Sequence, residues 1–396
     1  MVSQRPILIA GAGIAGLAAA IGLSRKGIAV RLLERRPQLS AAGAGIQIGP
    51  NGVKALAALG LREAVERVAF KPEALAMFRG ATGDVLARLP LGEVAMKRYG
   101  APYLTLLRAE LQSCLLDAAR AAPNVELTLG FPIEAITLGG DGVTVETDDH
   151  RTANGTALIG ADGLWSRVRA EIATAEPTPT GYLAYRAVVR RAGLPAPFDA
   201  PDIGLWMGRE AHIVHYPVGD GALLNLVVVV GGAARIQDWD EPGWLADITP
   251  HLARWPVGLA AVLARASDWR CWTLYDLPEP ARWTRGAMAI TGDAAHPVLP
   301  FLAQGAVMAL EDAVALANIL ASAGAPTPAA FAAFERVRRS RVMRLAAASR
   351  ANGRTYHLSG LPAVARDAVL ALMPPERLLG RFDWLYAHDP AALAMP

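Results

Sequence analysis

The sequence predicts an α/β fold: a doubly wound, largely parallel sheet interleaved with a second β-sheet domain and followed by a helical C-terminus. Three observations carry this expectation. Apolar runs at 6–10, 158–161 and 288–291 each end in a turn of small residues, the second and third with an Asp, with helical character beyond it. From 181 to 230 the chain changes to short apolar segments punctuated by Gly and Pro, the pattern of a sheet. After Pro326 the periodicity is helical through about Arg350, with shorter helices near Val364 to Leu372.

The first run, Pro6 to Ala10, reads as a buried parallel strand. Gly11-x-Gly13-x-x-Gly16 follows at once, an Ala/Leu-rich helix extends to about Arg25, and a second strand, Ala29 to Leu33, ends in Glu34. This is a complete dinucleotide fingerprint of the Rossmann-like kind. The glycines allow a tight turn and close approach of a pyrophosphate, the helix N-terminus favours the phosphates, and the acid suits a ribose. Gly11, Gly13, Ala15, Gly16, Glu34 and Arg35 are therefore candidate cofactor contacts. The motif alone does not separate FAD from NAD.

The second run ends in Ala161-Asp162-Gly163 and leads into Trp165-Ser-Arg-Val-Arg169. It is either a cofactor turn centred on Asp162 or an ordinary strand-to-helix turn. The third run, Met288 to Thr291, ends in Gly292-Asp293, and a long helix is expected from Gly305 to Leu320. Asp293 can accept hydrogen bonds from ribityl hydroxyls. The helix start at Gly305 and Ala306 offers N–H groups to the negative N1/O2 edge of a reduced flavin. Together the three turns point to FAD.

With 396 residues, the chain has room for two lobes around one ligand site. The expected nucleotide domain is discontinuous (1–70, 100–170 and 270–320), the substrate β-sheet domain comprises 71–99 and 171–269, and 321–396 form the helical C-terminal segment. Gly139 to Gly142 reads as a hairpin turn among accessory strands of the nucleotide lobe. A net charge of +3 is spread along the chain, so no nucleic-acid partner is expected, and Arg336 to Arg341 reads as a solvated helix face. No uninterrupted apolar run reaches the ~18 residues of a membrane span, and no leader pattern is present, so a cytoplasmic location is expected. Cys114 and Cys271 are far apart and lack a CxxC pattern, which argues against a disulfide framework or a metal site.

The glycine-rich start, the central Asp-Gly turn and the late Gly-Asp turn, in this order, resemble the group A FAD-dependent aromatic hydroxylases, the para-hydroxybenzoate hydroxylase-like enzymes. The resemblance covers nearly the whole chain. Gly43 to Gln47, Arg108 to Leu111, Tyr185-Arg186, His212 to Pro217, Ala303 to Gly305 and Asp383 to Tyr386 look most like the branch containing salicylate hydroxylase, 3-hydroxybenzoate 6-hydroxylase and 6-hydroxynicotinate 3-monooxygenase.

The resemblance implies that Arg108 contacts FAD and that the loop ending in Gln47 lies beside the flavin. Gln47 stands where some relatives of the hydroxynicotinate type have His, which weakens that substrate. Pro300 and Phe301 are expected to wall the flavin's reactive side against water. If Ala211 to Tyr216 is a strand, His212 and Tyr216 share one face about 13 Å apart at ~3.3 Å per residue, and His215 packs on the other. The resembling branch places a catalytic or substrate-binding His and Tyr at this spacing, so His212 is expected as the base and Tyr216 as a substrate contact. His296 is expected to position its loop.

The implied reaction uses NADH or NADPH and O2 to form a C4a-hydroperoxyflavin, which attacks a small phenolic or hydroxylated aromatic carboxylate once a near-neutral base has removed the phenolic proton. The expected assembly is a monomer or homodimer. A flavin-dependent epoxidase and a non-catalytic FAD-binding sensor remain alternatives. The Trp-x-Trp-x-Ile-Pro segment of flavin halogenases is absent.

Overall fold

A computed structural model of the protein describes residues 5–39, 44–140, 142–232 and 241–392. Its first sheet has six strands in the order Thr284–Arg285, Met288–Ile290, Ala157–Gly160, Ile7–Ala10, Val30–Glu34 and Val125–Leu129. All neighbours pair in parallel except the edge strand Thr284–Arg285. The three apolar runs are thus adjacent strands, and their C-terminal ends bring the three turns together. Ligands of open α/β sheets bind at this edge.

Helix Ile14–Ser24 covers one face of this sheet and packs against Gly305–Ala323. Gly22 permits the close approach, since a Cβ there would lie 3.1 Å from the Ala313 carbonyl oxygen. Among the described residues, Gly305–Ala323 is the one helix long and apolar enough to cross a membrane, and it is 72% buried inside the fold. The long helix Pro328–Tyr356 packs against it, followed by Gly360–Leu372. The C-terminal periodicity therefore marks real helices, the first running six residues beyond Arg350.

The second sheet has eight strands in the order Glu241–Gly243, Trp269–Asp276, Thr178–Arg190, Leu223–Gly231, Ala211–Val218, Ile203–Gly208, Ala74–Arg79 and Val85–Pro90. The short apolar segments read between 181 and 230 belong to it, as strands Thr178–Arg190, Ile203–Gly208, Ala211–Val218 and Leu223–Gly231. Trp269–Asp276 also joins this sheet, although the sequence boundary at 270 would have assigned it to the other lobe. One face, with Tyr216, Val227 and Val229, packs into the core shared with the nucleotide sheet. The other, with Ile213, Leu224 and Val228, joins a separate core containing Phe198 and Trp206. Ala135–Gly139, Gly142–Glu146 and Thr152–Gly155 form a three-stranded antiparallel sheet, with Gly139 paired to Gly142 at the expected hairpin. Asp141 of that turn lies outside the described residues.

Candidate active site

The three turns open onto a cavity of about 920 Å³ that continues to Arg186 and Trp272 on the second sheet. The glycines act as their spacing demands. Gly11 has φ +96°, and a Cβ there would lie 2.6 Å from the Ala161 carbonyl oxygen. A Cβ on Gly16 would collide with the Gly11 carbonyl oxygen, whereas one on Gly13 would meet nothing within 4 Å. Gly13 therefore leaves room at the mouth of the helix, where a phosphate gains most from the N-terminal N–H groups.

Gly11, Gly13, Glu34, Arg35, Arg108, Asp162 and Asp293 all line the cavity. Ala15, Gly16, Gln47, Pro300, Gly305 and Ala306 do not. Ala15 supports the late turn from beneath: a Cβ on Gly292 would lie 2.8 Å from the Ala15 methyl. Gly43 lies outside the described residues.

Two of the acids already have backbone partners. Glu34 accepts hydrogen bonds from Ala12 N at 2.7 Å and Arg36 N at 3.0 Å, so it ties the glycine turn to the second strand as well as facing the cavity. Asp162 accepts from Ser166 Oγ, Arg167 N and Val168 N at 2.5–3.1 Å. It thereby holds the start of helix Arg167–Ile172, the ordinary-turn alternative, while its residue also lines the cavity.

Asp293 is different: no described donor bonds to its carboxylate. Burial raises its pKa, opposed by the nearby charges of Arg108 and His296. Among the described residues Arg186 also lacks a hydrogen-bond partner for its buried Nε, and burial pushes its pKa down to about 10. Its guanidinium lies 4.0 Å from the centre of the Trp272 ring. These unsatisfied groups, with the open space at Gly13, fit a long polar ligand with a pyrophosphate and hydroxyls, as FAD is.

The Gly292-Asp293 turn is braced from behind by buried charges. Asp312 accepts from Thr291 Oγ1 at 3.0 Å and Gly292 N at 3.2 Å, and its Oδ2 lies 2.6 Å from His296 Nε2. Arg338 bonds both Asp312 and Glu311 at 2.7–2.8 Å, and these three side chains are essentially inaccessible to solvent. The surrounding cations hold both carboxyls below their usual range despite burial, Glu311 at about 2. His296 thus positions its loop, as expected.

On strand Ala211–Val218 the alternation is as read from the sequence. His212 and Tyr216 face the shared core, both nearly inaccessible at 2% and 3% exposure. Gln47 hydrogen-bonds Tyr216 and accepts from the Tyr103 hydroxyl at 2.9 Å. His212 packs beside Phe301, Tyr356 and His357, its Nδ1 2.8 Å from His357 Nε2. Neither His212 nor Tyr216 lines the 920 Å³ cavity; both sit behind it, between the sheet and the C-terminal helices.

The near-neutral pKa expected for His212 is not what its surroundings give. Burial, reinforced by His357, pushes it well below the usual histidine value, so the resting ring is neutral. A neutral ring can accept a proton, but needs help to keep it. His215, on the opposite face, lies among Phe78, Phe198 and Trp206, over Gly204. Neither of its nitrogens has a partner among the described residues, and burial lowers its pKa to about 3.

Sequence reasoning missed His357, Tyr356, Tyr103 and the Arg338 brace, and it noted Arg186 without its partner Trp272. His357 is 145 residues from His212, and no local spacing signals the pair.

Comparison with known proteins agrees with this geometry. The family described as FAD binding domain matches residues 4–349. The chain is 33% identical to 3-hydroxybenzoate 6-hydroxylase of Polaromonas naphthalenivorans (strain CJ2), over 97% of this chain and 96% of that one. It is 35% identical to 6-hydroxynicotinate 3-monooxygenase of Pseudomonas fluorescens, over 87% and 90%. Klebsiella pneumoniae HpxO, solved with FAD and uric acid, superposes with a TM-score of 0.86 at 26% identity, covering 98% of this chain and 97% of that one.

Proposed function

The chain belongs to the FAD-binding-domain family of flavoprotein hydroxylases, and from that premise we propose that its substrate is a small aromatic ring carrying a hydroxyl and a carboxylate. The protein is an FAD-dependent monooxygenase. NADH or NADPH serves as electron donor and O2 as oxidant in this reading. A 3-hydroxybenzoate- or salicylate-like compound is the first choice, and a hydroxypyridine carboxylate the next.

Bound FAD supplies the reductive activation of O2 that the side chains of this protein cannot perform. The chain's own residues have four tasks. The turn Gly11–Gly16 and the following helix would receive the pyrophosphate, and Glu34 and Arg35 would hold the adenosine ribose. Asp293 and Arg108 would hold the ribityl and flavin portion, Asp162 would shape its own turn, and the helix start at Gly305 and Ala306 would offer N–H groups to the flavin. Pro300 and Phe301 exclude water. His212 accepts the phenolic proton at Nε2, making the ring electron-rich, and Tyr216, fixed by Gln47, orients the substrate.

The domain reading goes with this assignment once strand Trp269–Asp276 is moved to the second sheet: 1–70, 100–170 and the part of 270–320 beyond that strand bind FAD, 71–99 and 171–269 with that strand bind substrate, and 321–396 close the site. The observation that carries the reading is the meeting of three cofactor turns with Arg186 and Trp272, which lie on the sheet face that also bears His212 and Tyr216. The test is a screen of phenolic carboxylates for stimulated NAD(P)H oxidation by the FAD-loaded protein. Stimulation by a phenolic carboxylate supports it. An active flavoprotein that ignores every phenol and epoxidises an isolated alkene overturns it.

A further inference from the structure

We propose that the outer face of helix Gly360–Leu372 is the contact through which two copies of this chain form an isologous dimer, the two helices lying antiparallel across a two-fold axis. The polarity of this helix is the reverse of what a surface helix shows, with its charge inside and its hydrocarbon outside. Its two charged residues, Arg366 and Asp367, turn inward. Asp367 accepts from Arg79 Nε at 2.9 Å and from Arg366 Nη2 at 2.7 Å, and Arg366 also donates to the carbonyls of Thr355 and Tyr356. The outer half carries Leu361, Val364, Ala365, Ala368, Val369 and Leu372, and none of the helix's exposed residues has a polar side chain. Leu361 and Leu372, at its two ends, are 84% and 83% exposed.

Area and charge select the occupant. With Val85, exposed on the neighbouring edge strand, the patch offers roughly 600 Å² of apolar surface, the upper end of what monomers leave uncovered; doubled across a two-fold it reaches ~1,200 Å², where stable interfaces begin. The exposed charges flanking it, Arg354 and Arg377 against Asp84 and Glu376, balance. An amphipathic helix lying on an anionic membrane would have a basic border instead.

A face without charge gives a charged partner nothing to read, whereas a two-fold axis sets the same patch against itself. Leu361, Ala365, Ala368 and Leu372 are spaced four, three and four residues apart, the same in both directions. An antiparallel copy therefore places Leu361 beside the partner's Leu372 at each end, with the alanines allowing close approach between them. The opposed helix dipoles favour that orientation over the parallel one.

The test is sedimentation equilibrium of the FAD-loaded full chain at micromolar concentration. Wild type should sediment at twice the chain mass. Leu361→Lys and Leu372→Glu each put two unpaired charges into the contact, one from each copy, and should raise the dissociation constant ~100-fold or more. Both should keep FAD and the far-UV circular dichroism of the wild type, because these side chains lie outside the core of the single copy. In the double variant each new lysine meets the partner's new glutamate, so it should associate at least ~tenfold more tightly than either single variant. Trp244→Gln, an exposed site at the opposite edge of the second sheet, should leave the dimer intact. A monomeric wild type, a dimer that survives both single substitutions, a double variant no tighter than the singles, or a dimer lost only in Trp244→Gln would overturn the proposal. A monomeric wild type that cosediments with phosphatidylcholine/phosphatidylglycerol vesicles would overturn it too, and assign the face to a membrane.

Discussion

Asp293 and His212 use burial in opposite ways. Asp293 keeps a carboxylate at the cavity with no described donor, which costs the empty fold and leaves acceptors for a ligand. Asp293→Ala should therefore weaken FAD retention without lowering the thermal midpoint of the FAD-free protein, as measured by FAD titration and melting of the two forms. His212 is held neutral, ready to accept a proton. His212→Ala should keep FAD and consume NAD(P)H while losing about 10² to 10⁴ of its oxygen-transfer rate, with peroxide released in place of product. Coupling ratios check this, and His215→Leu should leave them nearly unchanged.

His215 has a different signature. Its native pKa of about 3 lies below the unfolded value of 6.5, so the unfolded chain binds its proton first as pH falls. Stability held above pH 6.5 should then drain at ~1.4 kcal/mol per pH unit down to about pH 3. His215→Leu should flatten that acid limb in urea unfolding measured across the window; an unchanged slope would contradict the assignment. The sides of His212, His215 and Tyr216 were legible because strand alternation is a local rule. His357 was not, because its pairing depends on where a helix end lands in three dimensions.

At the scale of elements, the late turn is rigid because helices Gly305–Ala323 and Pro328–Tyr356 meet over buried charge. Arg338 holds both Glu311 and Asp312, and Asp312 in turn holds Thr291, Gly292 and His296. Arg338→Met should cost about 3–5 kcal/mol, because it leaves buried carboxylates short of a counter-charge. Chemical denaturation measures the loss, and a faster rate of FAD release should accompany it as the turn loosens. The sequence identified the three turns from apolar runs and small residues, but read Arg336 to Arg341 as a solvated face. Arg338 is instead fully buried, because its position on the helix turns it toward Asp312. Glu34 and Asp162 show the same limit: the motif located them, while their bonds to backbone N–H groups became visible only in the fold.

In the whole molecule, one cavity touches both sheets, from the glycine turn on the nucleotide sheet to Arg186 and Trp272 on the other. The interleaved order of segments makes this possible, since the chain leaves the nucleotide sheet for the second sheet after Ala157–Gly160 and returns to it after Trp269–Asp276. A ligand bound there by the folded state alone should raise the thermal midpoint, by ~2.7 kcal/mol of added stability at a hundredfold excess over its dissociation constant. FAD, and not FMN or NAD, should produce that shift. The most direct measurement of the central claim is isotopic: FAD-loaded protein, NAD(P)H and a panel of phenolic carboxylates under ¹⁸O2, with product analysed by mass. The account expects a ring-hydroxylated product carrying one ¹⁸O atom; flavin-bound protein that oxidises NAD(P)H yet places no ¹⁸O on any phenolic ring would contradict it.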